Sequence, residues 1–165
     1  MVMTYYEVDE SVLETEQRLA GSANLAGPLL EALHDLQEVR RDDCLPVAGW
    51  VTAVGDATRR TLDRIEAHAR AGAAPGSVLN RLPNSCRRLQ QELAAEHHDL
   101  FAGFRRQLAL ARAETPGKGL AIRLLDSLIA RECDLALHIN GLSRLLTAAE
   151  QRQLALASVR RGELV

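Results

Sequence analysis

The sequence LAIRLLDSLIARECDLALHINGLSRLLTAA, residues 120–149, places its inward-facing positions three and four residues apart. Those positions are Ala121, Leu125, Leu128, Glu132, Leu135, Ile139, Leu142 and Leu146. This spacing is typical of a long amphipathic helix that turns one stripe towards a core. Glu132 alone interrupts the apolar series. We therefore predict a helix over 120–149 with one carboxylate facing inward.

Three further segments, about 10–40, 46–71 and 85–113, carry the same helical spacing. Turn-forming residues separate the segments, the clearest being Thr115-Pro116-Gly117. Short connections force neighbouring helices to run antiparallel. The sequence thus predicts an all-α, antiparallel up-down-up-down four-helix bundle. We expect a single domain over residues 1–165, with its core over about 10–149 and a frayed or packing tail over 150–165.

Two local features modify this outline. Gly27-Pro28 interrupts the first segment, because proline lacks a backbone donor and clashes with the preceding turn. A kink is expected there, or a break that leaves a short leading helix, so we predict a short extra helical piece at the N- or C-terminus. Residues 77–82 are too few to fix a period and are expected to form one more turn over the end of the bundle.

Composition limits the possible functions. Apolar residues make up 47% of the chain and aromatic residues 3%, which predicts an aliphatic core. A net charge of -2 gives no reason to expect a nucleic-acid partner. No secretory signal or run of 18 apolar residues is visible, so we expect a cytoplasmic protein without a membrane span. The cysteines Cys44, Cys86 and Cys133 lack a CxxC spacing and are expected to be reduced thiols.

Three ionisable residues, His68, His97 and Glu132, occupy positions that the helical pattern assigns to the core. Burying such a group is costly without a hydrogen bond, a counter-charge or a metal ion. Glu132 and His97 are similarly far from the Thr115-Pro116-Gly117 turn, so antiparallel packing is expected to bring them level. One interpretation is a structural Glu132–His97 pair. The other is a metal site with His68, His97 and Glu132 as ligands.

The other histidines are expected to be closer to water. His34 lies opposite the leucine stripe of its segment, which predicts a surface position. His98 and His138 lie at the edges of their stripes, which favours solvated or boundary positions.

Several short motifs give the chain a family likeness. They are RIEAH at 64–68, NRLP at 80–83 and LAAEHHDL at 93–100. In their order and layout, over roughly residues 15–148, the chain resembles the hemerythrin-like, or HHE cation-binding, four-helix bundles. This resemblance implies a carboxylate-bridged pair of non-haem irons used for dioxygen, nitric oxide or iron-redox chemistry.

The resemblance also implies a reduced set of ligands. His68, His97 and Glu132 fall at or near ligand positions of the family, whereas other ligand positions hold Ser22, Gly72 and Phe101. Three ligands imply a single iron or zinc ion, completed by water, used for sensing, storage or detoxification.

Two other functions stay open. The first is a metal-free regulatory or scaffolding bundle that binds a protein partner or forms a homodimer through leucines off the main stripes, namely Leu19, Leu30, Leu110, Leu124 and Leu145. The second is an enzyme that uses nucleophilic or acid-base chemistry. No signature such as G-x-S-x-G is present, so we predict no catalytic residue and expect a non-enzymatic protein.

Overall fold

The computed structural model describes residues 10–113 and 115–160, with side chains described for 25–113, 115–152 and 155. These residues form four long helices: α1 (Glu10–Arg41), α2 (Val47–Ala73), α3 (Arg87–Ala113) and α4 (Lys118–Arg160). Two short 3₁₀ turns, Val78–Arg81 and Asn84–Cys86, connect α2 to α3. The described residues include no strand. The prediction of an all-α four-helix bundle is confirmed.

The helices contact each other in a ring. α1 packs on α2 and α4, α3 packs on the same two helices, and contacts across the α2–α4 diagonal are sparse. Between α1 and α2, Arg64 binds Asp35 and His68 binds the carbonyl of Leu25. Later residues of α2 therefore meet earlier residues of α1, which is the register of antiparallel neighbours.

The core between the helices is aliphatic, as the composition predicts. Leu29, Leu36, Leu128 and Leu135 are fully buried, and Phe104 is the largest fully buried side chain among the described residues. Removing a buried leucine side chain costs about 2–5 kcal/mol of stability. Packing along these stripes, more than intrinsic helix propensity, therefore stabilises the four helices.

Helix α1 continues through Pro28 without a break. Leu25 and Leu29 are buried on either side of the proline. Their packing offsets the cost of the lost backbone hydrogen bond, which is about 3 kcal/mol. The predicted break is therefore wrong, and α1 has no separate leading helix within residues 10–41.

The tail after residue 149 continues α4 as far as Arg160 instead of forming a separate piece. Ala149 is buried, and the guanidinium of Arg152 donates a hydrogen bond to the hydroxyl of Ser85. Residues 150–160 thus belong to the last helix, while the predicted tail at 161–165 lies outside the described residues.

The connection between α2 and α3 covers one end of the bundle, as predicted for residues 77–82. The Ser77 hydroxyl accepts a hydrogen bond from the backbone N–H of Leu79 at 3.2 Å, which caps the first 3₁₀ turn. Val78 and Leu79 then pack against the core. This turn therefore forms a wall at the end of the bundle.

The first part of α4 is rotated relative to the predicted stripe. Leu124 is fully buried, whereas Leu125 is 38% exposed. Leu145, also predicted to lie off the stripe, is fully buried, and Leu110 packs partly buried against the core. Of the surface leucines expected from the sequence, Leu30 is exposed at 51%. The side chain of Leu19 lies outside the described residues.

A row of apolar side chains faces outward along α4. Ile122, Leu125, Ile129 and Leu137 are 63%, 38%, 45% and 69% exposed. Their helical spacing places them on one side of the helix. None of the described helices has the length and hydropathy needed to cross a lipid bilayer.

Candidate metal centre

Three histidines from three helices meet inside the bundle: His68 of α2, His97 of α3 and His138 of α4. Their ring centroids are 4.9 Å apart for His68 and His97, 4.6 Å for His97 and His138, and 5.6 Å for His68 and His138. One nitrogen of each ring lies within 4.8 Å of the others. His68 and His138 are 1% exposed, and His97 is half-buried.

Each histidine reaches this position from an apolar stripe. His68 follows the buried Ile65 by three residues, and His138 follows the buried Leu135 by three. His97 lies between Leu93 and Leu100, both buried. Residues three or four apart share a helix face, so all three rings are carried into the interior.

Close contact between α3 and α4 brings His97 and His138 together. The site lies beside Gly141, where an added Cβ would be only 2.9 Å from the Cδ2 atom of Leu93. A larger residue at 141 would therefore displace the Leu93 side chain next to the histidines.

The Nδ1 atom of His68 lies 2.8 Å from the backbone carbonyl of Leu25. A carbonyl only accepts hydrogen bonds, so Nδ1 must carry the proton in this contact. In a neutral imidazole the other nitrogen, Nε2, then keeps its lone pair. A ring held in this way is oriented to bind a metal ion through Nε2.

His138 is oriented by a carboxylate. Its Nδ1 atom lies 2.8 Å from Oε2 of Glu96, a residue of α3 whose side chain is 51% exposed. The Nε2 atom of His138 is buried without a hydrogen-bond partner. A carboxylate on one nitrogen and a free lone pair on the other is an arrangement common to metal-binding histidines.

His97 also has a buried Nε2 atom without a partner. Burying an unpaired polar atom costs about 1–3 kcal/mol. Two such atoms, both on the rings of one cluster, make this the least satisfied polar region of the described interior. A cation shared by the three rings would pair with both nitrogens.

The surroundings keep protons away from two of the rings. Burial, with smaller contributions from the nearby His138 and His68, lowers the pKa of His97 to about 4. Burial also lowers the pKa of His68, with a smaller contribution from His138, while the bond to Leu25 opposes the change. Both rings are therefore neutral at pH 7, the form in which imidazole binds metals.

A cavity of about 270 Å³ adjoins all three rings. Leucines supply much of its wall, among them Leu79 from the capped 3₁₀ turn and Leu142 from α4. The exposed residues Asn80 and Ala94 also line it, so the cavity reaches solvent beside the start of α3. The site is thus within reach of small molecules.

Glu132 is buried, as predicted, but it is not part of the histidine cluster. Its carboxylate accepts bonds from Nε of Arg40, in α1, at 2.8 and 3.0 Å. The structural pair predicted between Glu132 and His97 is therefore not formed. The guanidinium of Arg40 supplies the counter-charge that the buried carboxylate needs.

The register of α3 and α4 explains this difference. Gly117 lies midway between Gln107 and Ser127, which are hydrogen-bonded, and midway between Glu96 and His138. Glu132, fifteen residues after Gly117, is therefore level with the residue fifteen before it, Ala102. His138 takes the place opposite His97 that the sequence interpretation gave to Glu132.

His138 is the site residue that the sequence interpretation missed. It was placed at the edge of its stripe, yet it is three residues after Leu135 and four before Leu142, both fully or almost fully buried. The spacing of three residues from one buried leucine and four from the next could have predicted that His138 faces the core. The predicted surface positions of the two remaining histidines are confirmed, since His98 is exposed and His34 pairs with Glu38 on the surface.

Two other ligand positions implied by the family resemblance hold Gly72 and Ser22. Gly72 lines the cavity but has no side chain to offer, and the side chain of Ser22 lies outside the described residues. Comparisons with protein-family models, with curated proteins and with solved structures find nothing that matches this chain. The hemerythrin-like resemblance therefore stays a prediction.

Proposed function

We propose that this protein binds one transition-metal ion, zinc or iron, through His68, His97 and His138. The observation that carries the proposal is the pair of buried, unpartnered Nε2 atoms on His97 and His138, beside a third ring of the same cluster. His138 replaces Glu132 in the ligand set predicted from the sequence. Glu96 and the Leu25 carbonyl orient two of the ligands.

Three imidazole ligands suit these metals. Zinc and iron both accept imidazole nitrogen, and zinc sites with three protein ligands keep a fourth position for water or another ligand. Zinc–nitrogen bonds of about 2.0–2.1 Å place the nitrogens of a tetrahedral site roughly 3.3 Å apart. The candidate ligand atoms already lie within 4.8 Å, so small ring movements suffice.

The biological use that fits this site is metal sensing, storage or detoxification in a hemerythrin-like bundle. A cavity that reaches solvent favours an ion that can exchange or accept a further ligand over a closed structural site. No catalytic residue is proposed.

Metal analysis tests the proposal directly. Protein purified without chelator is expected to contain, or to take up from added zinc or ferrous salt, about one ion per chain. His97→Ala is expected to weaken uptake at least tenfold because it removes one ligand. His98→Ala is the matched control, since His98 is the next residue on α3 and is exposed.

Two results would contradict the proposal. One is purified protein that contains almost no metal and takes up neither zinc nor ferrous iron. The other is equal uptake by the His97→Ala and His98→Ala variants. Glu132→Gln separates the two ligand sets, because it is expected to leave uptake unchanged when His138 is the third ligand.

We propose self-association as a second candidate role, through the outward row of Ile122, Leu125, Ile129 and Leu137 on α4. The occupant we favour is a second copy of this chain, because a two-fold axis sets the same apolar row against itself. Burying these four side chains would remove much of the exposed apolar surface of α4.

Sedimentation measures this second proposal. The wild-type chain is expected to sediment as a dimer, and Ile122→Ser combined with Ile129→Ser is expected to give a monomer of unchanged helicity. Leu30→Ser is the control, since Leu30 is equally exposed but lies on α1. A wild-type chain that stays monomeric at high concentration would refute the proposal.

A further inference from the structure

The cavity beside the histidines has a wall that is mostly hydrocarbon. Leu79, Leu93, Leu142 and Leu145 line it, and three of these side chains are themselves buried. Its volume of about 270 Å³ exceeds what a single water needs. A ligand of several heavy atoms therefore fits next to the rings.

The amide nitrogens of the two amide side chains in the wall are engaged. The amide nitrogen of Asn80 donates to the carbonyl of Ala74 at 2.6 Å, and that of Gln90 donates to the carbonyl of Leu79 at 3.2 Å. The wall thus favours an aliphatic occupant over one with many polar groups.

The charge of the metal ion determines which group of the ligand lies next to the histidines. Three imidazole ligands bring no negative charge to a divalent ion, so its double charge is uncompensated apart from Glu96 behind His138. None of the described residues that line the cavity is an arginine or lysine. An anionic group entering the cavity therefore has the metal ion as its single cationic partner, and it gains most by binding there.

We infer that the ligand of this site is a short-chain aliphatic monocarboxylate, with its carboxylate on the metal ion and its hydrocarbon tail among Leu79, Leu93, Leu142 and Leu145. The inference rests on the proposed metal site and adds the class of molecule that the site selects. Tail length is the selective property, since each methylene moved from water into a hydrocarbon wall strengthens binding about fourfold.

Cobalt(II) provides the probe, because its visible absorption depends on the ligands around it. The cobalt-loaded protein is titrated with acetate, propionate, butyrate and hexanoate. The dissociation constant is expected to fall about fourfold for each added methylene until the cavity is filled. The absorption spectrum is expected to change to the same end point for each acid.

Cavity-filling variants separate the wall from the metal ligands. Ala94→Leu places a side chain in the cavity and is expected to weaken hexanoate binding at least tenfold while leaving cobalt uptake unchanged. Ala95→Leu is the matched control, since Ala95 is exposed on the same helix and does not line the cavity. Ala73→Leu gives a second cavity variant at the end of α2.

The outcomes distinguish the two proposals. Absence of cobalt uptake refutes the metal site and this inference with it. Cobalt uptake with a spectrum that carboxylates do not alter, or with equal affinity for acetate and hexanoate, overturns the inference and leaves the metal site standing. Equal hexanoate binding by Ala94→Leu, Ala73→Leu and Ala95→Leu also overturns it.

Discussion

Two buried polar clusters connect the same three helices, α2, α3 and α4, and they differ in how their polar atoms are paired. In the first, Gln107 donates to Thr58 at 2.8 Å and accepts from Ser127 at 2.9 Å, while Thr58 donates to the Val54 carbonyl at 2.7 Å. These hydrogen bonds pair the donors and acceptors of the cluster with one another, so a structural role accounts for their burial.

The second cluster, His68, His97 and His138, is not closed in this way. Two of its Nε2 atoms, on His97 and His138, are buried without a hydrogen-bond partner. The two clusters have similar burial and the same helices, so burial of polar groups does not by itself identify a site. The histidine cluster is distinguished by unpaired nitrogens on two adjoining rings.

The stabilisation of the fold by zinc is expected to be the largest effect that depends on the histidine cluster and not on the Gln107 cluster. At a free concentration about a thousandfold above the dissociation constant, binding stabilises the fold by about 4 kcal/mol, or roughly 10 °C in melting temperature. His138→Ala is expected to remove this shift, whereas Gln107→Leu is expected to keep it. Thermal melts with and without zinc measure both, and a shift that survives His138→Ala would argue against the site.

Gln107→Ala is expected to have the next largest effect. It leaves a cavity and unpairs Thr58 and Ser127, so the predicted loss of stability is about 3 kcal/mol. The loss is expected to be equal with and without zinc, because the cluster takes no part in metal binding. Urea unfolding measures it, with Gln90→Ala, at a half-buried position, as control. Equal losses for the two variants would contradict a structural role for Gln107.

Acid is expected to destabilise the metal-free protein through the histidine cluster. Unfolded His97 takes up a proton near its ordinary pKa of 6.5, whereas in the folded state its pKa is about 4. Between these values the unfolded chain binds more protons, so stability is full above pH 6.5 and falls as the pH drops towards 4. After allowance for partial exposure the loss is about 2 kcal/mol.

Chelator-treated protein unfolded at pH 7, 6, 5 and 4 tests this expectation. His97→Ala is expected to flatten the profile over that range, and His98→Ala is expected to leave it as in the wild type. A wild-type profile that is level between pH 6.5 and 4 would show that the folded rings accept protons as readily as the unfolded chain.

Glu132→Gln is expected to have the smallest effect. It weakens a partly exposed pair with Arg40, whose side chain is 31% exposed, so the loss is about 1 kcal/mol. Zinc affinity is expected to stay within twofold of wild type. A large drop in zinc affinity would restore Glu132 to the ligand set predicted from the sequence.

The helices were predictable because apolar spacing and turn residues are local properties. The same spacing placed His68 and Glu132 inside. Partner choice was less predictable, since it depends on the register between helices. His97 lies twenty residues before Gly117 and Glu132 fifteen after it, and treating these distances as similar put Glu132 in the place of His138. The rotation at the start of α4, where Leu124 and Leu125 are adjacent apolar residues, was also undecided by local pattern.

The two bonds that orient the histidines differ in how they can change. The acceptor for His68 belongs to the main chain, so no side-chain substitution at Leu25 removes it. The acceptor for His138 is the half-exposed carboxylate of Glu96. Glu96→Gln or Glu96→Asp alters this acceptor without changing any of the three histidines. Mutation can therefore adjust the basicity of one imidazole while the other stays fixed, which offers a route to tune the affinity of the proposed metal site in small steps.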